Sequence, residues 1–199
     1  MTLLEYFNEC NNKDGYVTVG GHYEYKVING VLYFPPTDGG LDWRDNFRFA
    51  AVPYKNMEHK FYVHKGFLKI WKELQDKVAE ETFHTIIGYS QGGTPAPLAY
   101  EDTLYRKGIK CECITFGGPR FLWMPNKETK ERFSGVKRII TETDIVTHVP
   151  PTVFGYQHIG QEYVLTPVGK KPKDVNWFAW KSGHDRSMYR QYLEGVELW

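Results

Sequence analysis

Apolar residues recur along this chain with two spacings, one typical of amphipathic helices and the other of buried or half-buried strands. The helical spacing predicts helices over 2–11, 66–81, 91–107, 126–133 and 185–194. Short apolar runs predict strands over 23–28, 31–34, 47–54, 85–88, 110–116, 136–143 and 161–166. Because strands alternate with helices through the middle of the chain, the pattern predicts an α/β fold with a mainly parallel central sheet flanked by helices.

Three local signals refine this prediction. Asn29-Gly30 separates the first two strands, and this dipeptide between apolar runs predicts an antiparallel hairpin near the N-terminus. Thr2 is a suitable N-cap for the first helix. In the helix over 91–107, Pro95 fits the first turn, whereas Pro97 lies deeper and is expected to distort that turn.

Composition narrows the class of protein. The 199 residues are 41% hydrophobic and 25% charged, which is typical of a globular chain, and no linker or repeat divides it, so we expect one domain over 1–199. The formal net charge of +1 gives no basic excess for nucleic-acid binding. Three cysteines do not make a disulfide framework, and no ligand spacing suggests a metal, so no metal is expected.

No segment resembles a signal peptide or a membrane span. The first nine residues lack a basic region followed by a long apolar core, and no apolar run approaches about 18 residues. The expectation from the sequence is a cytoplasmic protein with at most peripheral membrane contact, and signal-independent release stays open. The sequence does not indicate the oligomeric state.

The stretch from Gly88 to Gly92 fits the G-x-S-x-G nucleophile elbow, with Ser90 at its centre. A serine on a tight strand-to-helix turn has a strained backbone, so its close neighbours must lack side chains, as both glycines do. The helix that follows would direct its N-terminal amides at the reacting group. A predicted strand before Ser90 and a predicted helix after it match this arrangement.

An acid and a histidine should follow the serine in chain order. Asp144 comes directly after a predicted strand, where parallel sheets build their sites, and is the favoured acid. We interpret Asp102 as a solvated charge on the helix after the elbow, and the later aspartates, Asp174 and Asp185, rank lower.

His184 precedes the last predicted helix on a loop that can return to the elbow, and it is the favoured general base. His148 is too close to Asp144 along the chain to face it well, and His158 is interpreted as structural or cleft-lining. The remaining histidines precede the serine and break the expected order: His22, His59, His64 and His84.

Taken together, six segments resemble, in order, the motifs of the class 3 (fungal-type) triacylglycerol lipase family of α/β hydrolases. They are 31–37 with Asp42-Trp43, 63–67, 88–92, 115–120, 144–151 and 184–189. The resemblance implies the α/β-hydrolase fold and a catalytic triad of Ser90, Asp144 and His184. It also implies an oxyanion hole built from Thr37 and the backbone amide of Gln91.

The chain departs from the family pattern in three places. Pro35-Pro36 stands where relatives commonly have Arg-Gly, and neither proline can donate an amide. Tyr89 and Gln91 flank the serine where His and Leu are frequent. The segment 39–47, which matches a greasy lid in fungal relatives, carries three charges and only three large apolar residues, so we predict weak or absent interfacial activation.

The resemblance implies a serine carboxylic-ester hydrolase that cleaves a small-molecule or lipid ester through an acyl-enzyme, with no cofactor. One alternative is the same triad acting on another acyl compound, such as a phospholipid, a thioester or a cell-wall ester. The other is a non-catalytic scaffold that keeps the fold, although a retired site has no physical need for all three groups.

Overall fold

The structure is a computed structural model that describes residues 1–36, 50–166, 183–194 and 196. The described α-helices are α1 (Leu3–Asn11), α2 (Lys65–Ala79), α3 (Pro95–Lys107), α4 (Lys127–Arg132) and α5 (Arg186–Leu193). Three short 3₁₀ turns cover Ser90–Gly93, Ile145–His148 and Thr152–Phe154.

The described strands form two sheets. They are β1 (Val17–Val19), β2 (Tyr23–Ile28), β3 (Val31–Phe34), β4 (Ala51–Asn56), β5 (His59–His64), β6 (Thr85–Tyr89), β7 (Glu112–Phe116), β8 (Leu122–Trp123), β9 (Val136–Thr141), β10 (Tyr156–Gln157) and β11 (Gln161–Leu165). The larger sheet has seven strands in the order β1-β2-β3-β6-β7-β9-β11, and the smaller one has four in the order β10-β8-β5-β4.

The predicted fold class is confirmed. From β3 to β11 the larger sheet is parallel throughout, with registers such as Phe34 opposite Gly88 and Tyr89 opposite Phe116. The hairpin around Asn29-Gly30 pairs β2 with β3 antiparallel, and β1 extends that edge. Both turn residues have the positive φ that this tight connection requires.

Helices cover both faces of the central sheet, and each face has its own apolar core. On one face, α2 and α3 supply residues such as Trp71, Leu74 and Leu98. On the other face, Phe7 of α1 and Tyr189 of α5 pack against the sheet. The parallel strands are therefore buried on both sides, as expected of a sheet that places a site at its carboxyl edge.

Helix boundaries follow the predicted caps closely. The Thr2 hydroxyl accepts the Glu5 backbone N–H at 3.1 Å, and the Glu5 carboxylate accepts the Thr2 N–H at 2.7 Å, which forms a capping box. Pro97, however, does not distort α3. The helix begins only at Pro95, after the 3₁₀ turn, so Pro97 lies within the first helical turn, where no intrahelical N–H bond is lost.

Some predicted elements differ from the structure. The strand expected over 47–54 is observed as Ala51–Asn56, because its pairing with His59–His64 fixes its far end, and positions 47–49 lie outside the described residues. The strands β5, β8 and β10, which complete the smaller sheet, were not predicted. None of the described helices has the length and apolar character needed to cross a bilayer.

Candidate active site

The chain turns sharply at Ser90, where β6 leads into the first 3₁₀ turn. Ser90 has a φ of 56°, a left-handed conformation that costs a side-chain-bearing residue free energy and is rarely adopted without a tertiary reason. A Cβ added at Gly88 would lie 2.3 Å from the Gly92 carbonyl oxygen, and one at Gly92 would lie 2.2 Å from the Phe34 oxygen. Both glycines are therefore required for the turn to form.

Three predicted residues meet at this turn. The His184 Nε2 lies 2.7 Å from the Ser90 Oγ, and its Nδ1 lies 2.9 Å from each carboxylate oxygen of Asp144. Ser90 follows β6 and Asp144 follows β9, so the carboxyl ends of two parallel strands supply the serine and the acid, as the strand order predicts. His184 lies just before α5, and its imidazole contacts both the serine and the acid.

Asp144 is completely buried and its carboxylate is held from several sides. Its Oδ1 accepts the Val146 backbone N–H at 2.8 Å, and its Oδ2 accepts the Tyr189 hydroxyl at 2.6 Å. Burial and the neighbouring carboxylate raise the pKa of Tyr189 well above its usual range, so this hydroxyl stays protonated and donates. These donors hold the Asp144 carboxylate in place, and the carboxylate in turn fixes the orientation of the imidazole.

Gly117, which directly follows β7, leaves space for this arrangement. It has a φ of +55°, and a Cβ there would lie 2.5 Å from the Asp144 Oδ2 and 2.8 Å from the Tyr189 oxygen. Neither Gly117 nor Tyr189 was singled out for the site from the sequence. The Thr115–Arg120 and His184–Tyr189 segments of the resemblance contain both, and a glycine that follows a strand was the signal available.

The loop after Asp144 is fastened to the segment after β7. The Arg120 guanidinium donates to the carbonyl oxygens of His148 and Pro150, and the Arg120 N–H donates to Val149 at 2.8 Å. The Val149–Pro150 peptide is cis. One arginine therefore anchors three consecutive carbonyls and limits the movement of the loop that carries the acid.

Of the two residues expected to bind an oxyanion, Thr37 lies outside the described residues. Gln91 follows Ser90 directly, and its carbonyl accepts both the N–H and the hydroxyl of Thr94, at 3.0 and 2.8 Å. Its backbone is thus fixed at the start of the 3₁₀ turn. Gln91 lines a cleft of about 200 Å³ whose wall includes Phe34, Pro35 and Pro36.

The other acids have structural surroundings. The expectation that Asp102 is solvated was wrong, because it is 5% exposed, accepts the Tyr54 hydroxyl at 3.3 Å and pairs with Arg106 at 3.1 Å. Asp185 caps α5, and its hydrogen bonds to Ser187 hold the pKa of its carboxyl below the usual value. Asp174 lies outside the described residues.

His148 and His158 contact backbone oxygens of the loop that carries the acid. His148 Nδ1 lies 3.1 Å from the main-chain oxygen of Asp144, and His158 Nε2 lies 2.6 Å from that of Thr147. Burial together with the nearby Arg138 charge lowers the pKa of His158 to about 3, and burial lowers that of His64 to about 4. Both are therefore neutral at physiological pH, as packed structural histidines are.

No three His, Cys, Asp or Glu side chains within the described ranges cluster in a way that could hold a metal ion. The arrangement that is present, a hydroxyl beside an imidazole beside a buried carboxylate, can accept a proton from the serine and store it on the imidazole. This is the chemistry of an activated nucleophile.

Comparison with known proteins gives consistent results. The family model of lipase (class 3) matches residues 31–154, which include Ser90 and Asp144. A lipase of Rhizomucor miehei is 30% identical over 141 residues, covering 63% of this chain and 38% of that protein. The secreted mono- and diacylglycerol lipase 1 of Fusarium solani is 32% identical over 139 residues, covering 62% and 40%. The chain therefore spans about two fifths of the length of these curated relatives.

Solved structures agree with the fold. The propeptide complex of Rhizomucor miehei lipase matches with a TM-score of 0.60 at 25% identity, covering 76% of this chain and 55% of that one. A triacylglycerol lipase, whose catalytic centre is described as a serine protease triad, matches with a TM-score of 0.62 at 25% identity, covering 76% and 66%. The match of the family model over more than half of the chain establishes the relationship that the six motifs suggested: the protein belongs to the lipase (class 3) family.

Proposed function

We propose that this protein is a serine hydrolase of carboxylic esters, acting on acyl esters of lipids through an acyl-enzyme. The observation that carries the proposal is the unbroken hydrogen-bonded series from the Ser90 hydroxyl through His184 to the buried Asp144 carboxylate. The names of the relatives support an ester of a fatty acid as substrate, since they include a mono- and diacylglycerol lipase and a triacylglycerol lipase.

In the first half of the reaction, the Ser90 Oγ attacks the ester carbonyl carbon while His184 Nε2 takes the hydroxyl proton. The carbonyl π electrons move onto oxygen, and the Gln91 amide with Thr37 would stabilise that oxyanion, each donor contributing about 3 kcal/mol. Collapse of this intermediate breaks the bond to the alcohol, which leaves with the proton from the imidazolium. Asp144 holds the imidazole in one tautomer and stabilises its charged form.

In the second half, water replaces the alcohol. His184 removes one proton from the water as its oxygen attacks the acyl carbon, and a second tetrahedral intermediate forms. Its collapse releases the carboxylic acid and returns the proton to the Ser90 oxygen. The cycle ends with the serine, imidazole and carboxylate in their starting states, so the protein's own groups complete the proton transfers.

The decisive test compares Ser90→Ala with Ser134→Ala. Ser134 is exposed and lies outside the site, so it serves as the matched control. Ser90→Ala should lower ester turnover by at least about a thousandfold and abolish labelling by a fluorophosphonate, whereas Ser134→Ala should keep both. An unchanged rate in Ser90→Ala would remove the proposed mechanism, and the absence of any labelling in the natural protein would favour the non-catalytic scaffold.

The substrate class is separated by a panel of esters. Acylglycerols and p-nitrophenyl esters of graded chain length, phospholipids and acyl thioesters share the same triad chemistry and differ only in what the pocket accepts. Highest kcat/KM on acylglycerols supports the proposal, whereas a preference for phospholipids or thioesters would replace its substrate class and leave the nucleophile unchanged.

A further inference from the structure

The main chain at the histidine is anchored at two successive carbonyls. The Gly183 oxygen accepts the Thr141 hydroxyl at 2.7 Å, and the His184 oxygen accepts the Tyr89 hydroxyl at 2.5 Å. Two residues later α5 begins, with Asp185 as its N-cap. The imidazole therefore projects from a segment that is fastened on both sides of its own Cα.

Tyr89 makes a second contact with the same residue. Its ring is stacked on the His184 imidazole, with ring centroids 5.3 Å apart and an interplanar angle of 25°. A flat ring against one face of the imidazole restricts rotation of the His184 side chain. One side chain thus constrains both the main chain and the ring orientation of the histidine.

Tyr89 is itself held firmly. It is 2% exposed, and its ring packs edge-on against Phe7 at 4.9 Å and Tyr189 at 5.6 Å. Burial and the Asp144 charge raise its pKa far above the working range, so its hydroxyl remains a donor. The carbonyl of His184 can only accept, which fixes the direction of the hydrogen bond.

The position of Tyr89 in the chain links these contacts to the nucleophile. Tyr89 directly precedes Ser90, so the peptide that holds the hydroxyl in its strained turn also carries the side chain that holds the imidazole. The distance between Oγ and Nε2 is then set largely within one rigid unit at the end of β6. A displacement of about 1 Å between reacting groups can lower a rate by about a hundredfold.

We propose that Tyr89 is a positioning residue for the general base, acting through the His184 carbonyl and ring face, in the esterase reaction proposed above. His, frequent at this position in the family pattern, has a shorter side chain and lacks the phenolic hydroxyl. The tyrosine therefore gives this chain its own means of fixing the histidine.

The test removes the hydroxyl and keeps the ring. Tyr89→Phe should lower kcat about tenfold, with KM little changed, because one hydrogen bond that orients the base is lost. Fluorophosphonate labelling of Ser90 should slow by a similar factor. Tyr54→Phe is the matched control, since it also removes a buried hydroxyl, one that bonds Asp102 and Trp71 and lies on the opposite face of the sheet.

Proton NMR separates positioning from general destabilisation. The downfield resonance of the His184 Nδ1 proton shared with Asp144 should broaden or shift in Tyr89→Phe and stay unchanged in Tyr54→Phe. Tyr89→His is the second variant, since its shorter side chain lacks the phenolic hydroxyl, and it should reproduce the loss in kcat if Tyr89→Phe folds poorly.

Equal kcat and labelling rates in Tyr89→Phe and Tyr54→Phe would overturn the inference, as would a loss in kcat that tracks only the folded fraction. These outcomes are distinct from failure of the proposed function. If Ser90→Ala keeps full activity, the esterase mechanism itself is wrong. If Ser90→Ala is inactive and both tyrosine variants behave alike, only the role of Tyr89 is wrong.

Discussion

Replacing Gly117 by alanine is the sharpest test of how the site is packed, because this residue supplies no reactive group. Its new Cβ would lie 2.5 Å from the Asp144 Oδ2, well inside the 3.4 Å at which ordinary contact begins. It would also lie 3.1 Å from the His184 Cε1. The carboxylate must therefore retreat, and its bonds to Tyr189 and His184, at 2.6 and 2.9 Å, must lengthen or break.

The magnitude follows from two separate costs. A side chain at a left-handed φ costs about 1–2 kcal/mol, wherever it occurs. Loss of hydrogen bonds to a buried charged group costs about 1.5–3 kcal/mol each. With the backbone cost and the loss of one of these two bonds, Gly117→Ala should lower the free energy of unfolding by about 2.5–5 kcal/mol. It should also lower kcat by at least about a hundredfold, toward the roughly 10⁴-fold loss that follows when such an acid is disabled.

Gly108→Ala is the matched control. Gly108 ends α3 with a φ of +69°, and a Cβ there would meet nothing within 4 Å. This variant should lose only the backbone term, about 1–2 kcal/mol, and keep its full kcat. Urea unfolding measures the stabilities, and hydrolysis of a soluble p-nitrophenyl ester measures kcat. If Gly117→Ala hydrolyses the ester within about threefold of Gly108→Ala, the packing argument at Asp144 is wrong.

Three further predictions address other parts of the chain. Asp102→Ala should lower the free energy of unfolding by about 2–3 kcal/mol, since it removes the acceptor of the buried Tyr54 hydroxyl and the ion-pair partner of Arg106. The exposed Asp76→Ala should change it by less than about 0.5 kcal/mol in urea titrations. His158 is neutral in the fold, with a pKa of about 3, and gains a proton on unfolding below about pH 6.5, so stability should fall between these values as pH decreases. His158→Gln should flatten that decline, and an unaltered pH profile would contradict the assignment. Because 39–47 is rich in charge, the rate should rise smoothly as a sparingly soluble ester passes its micelle threshold, and an abrupt increase there would refute the expected weak interfacial activation.

The elbow could be predicted from the sequence because its motif lies within five consecutive residues. The closest clash of a side chain at Gly88 would be with the Gly92 carbonyl, four residues on, whereas a side chain at Gly92 would clash with Phe34, the last residue of β3, and with Pro35 after it. A strand, a strained serine and a following turn are therefore implied by one short segment. The hairpin at Asn29-Gly30 and the N-cap at Thr2 were predictable for the same reason.

Burial that depends on distant segments was not predictable in this way. The helix α3 is buried along most of its length, including Glu101 and Asp102, so its acids face other elements instead of water. Glu101 bonds Asn56 from β4 and Arg132 from α4, segments that lie 45 and 31 residues away. Charged residues on a helix are usually exposed, and only the tertiary arrangement shows the partners that make these two exceptions.

Three of the four strands of the smaller sheet were missed, for two different reasons. In β5, alternate residues are buried and exposed, with Phe61 and Val63 inside and Lys60 and Tyr62 outside, so a period-of-two signal was present. The strands β8 and β10 have only two residues each, too few for any periodicity to show. Their existence depends on pairing with β5, which no local pattern reports.

The supporting residues of the site follow from strand order. In the central sheet β6, β7 and β9 are adjacent and parallel, so their carboxyl ends lie side by side. The first ends at Tyr89 and leads to Ser90, the second leads to Gly117, and the third leads to Asp144. The middle strand contributes no reactive atom, yet the acid and the histidine both pack over the glycine that directly follows it. A catalytic serine can thus be recognised from its own segment, whereas the residues that fix its partners are recognised only once the neighbouring strands are known, which is why Gly117 and Tyr89 are the most informative positions to substitute.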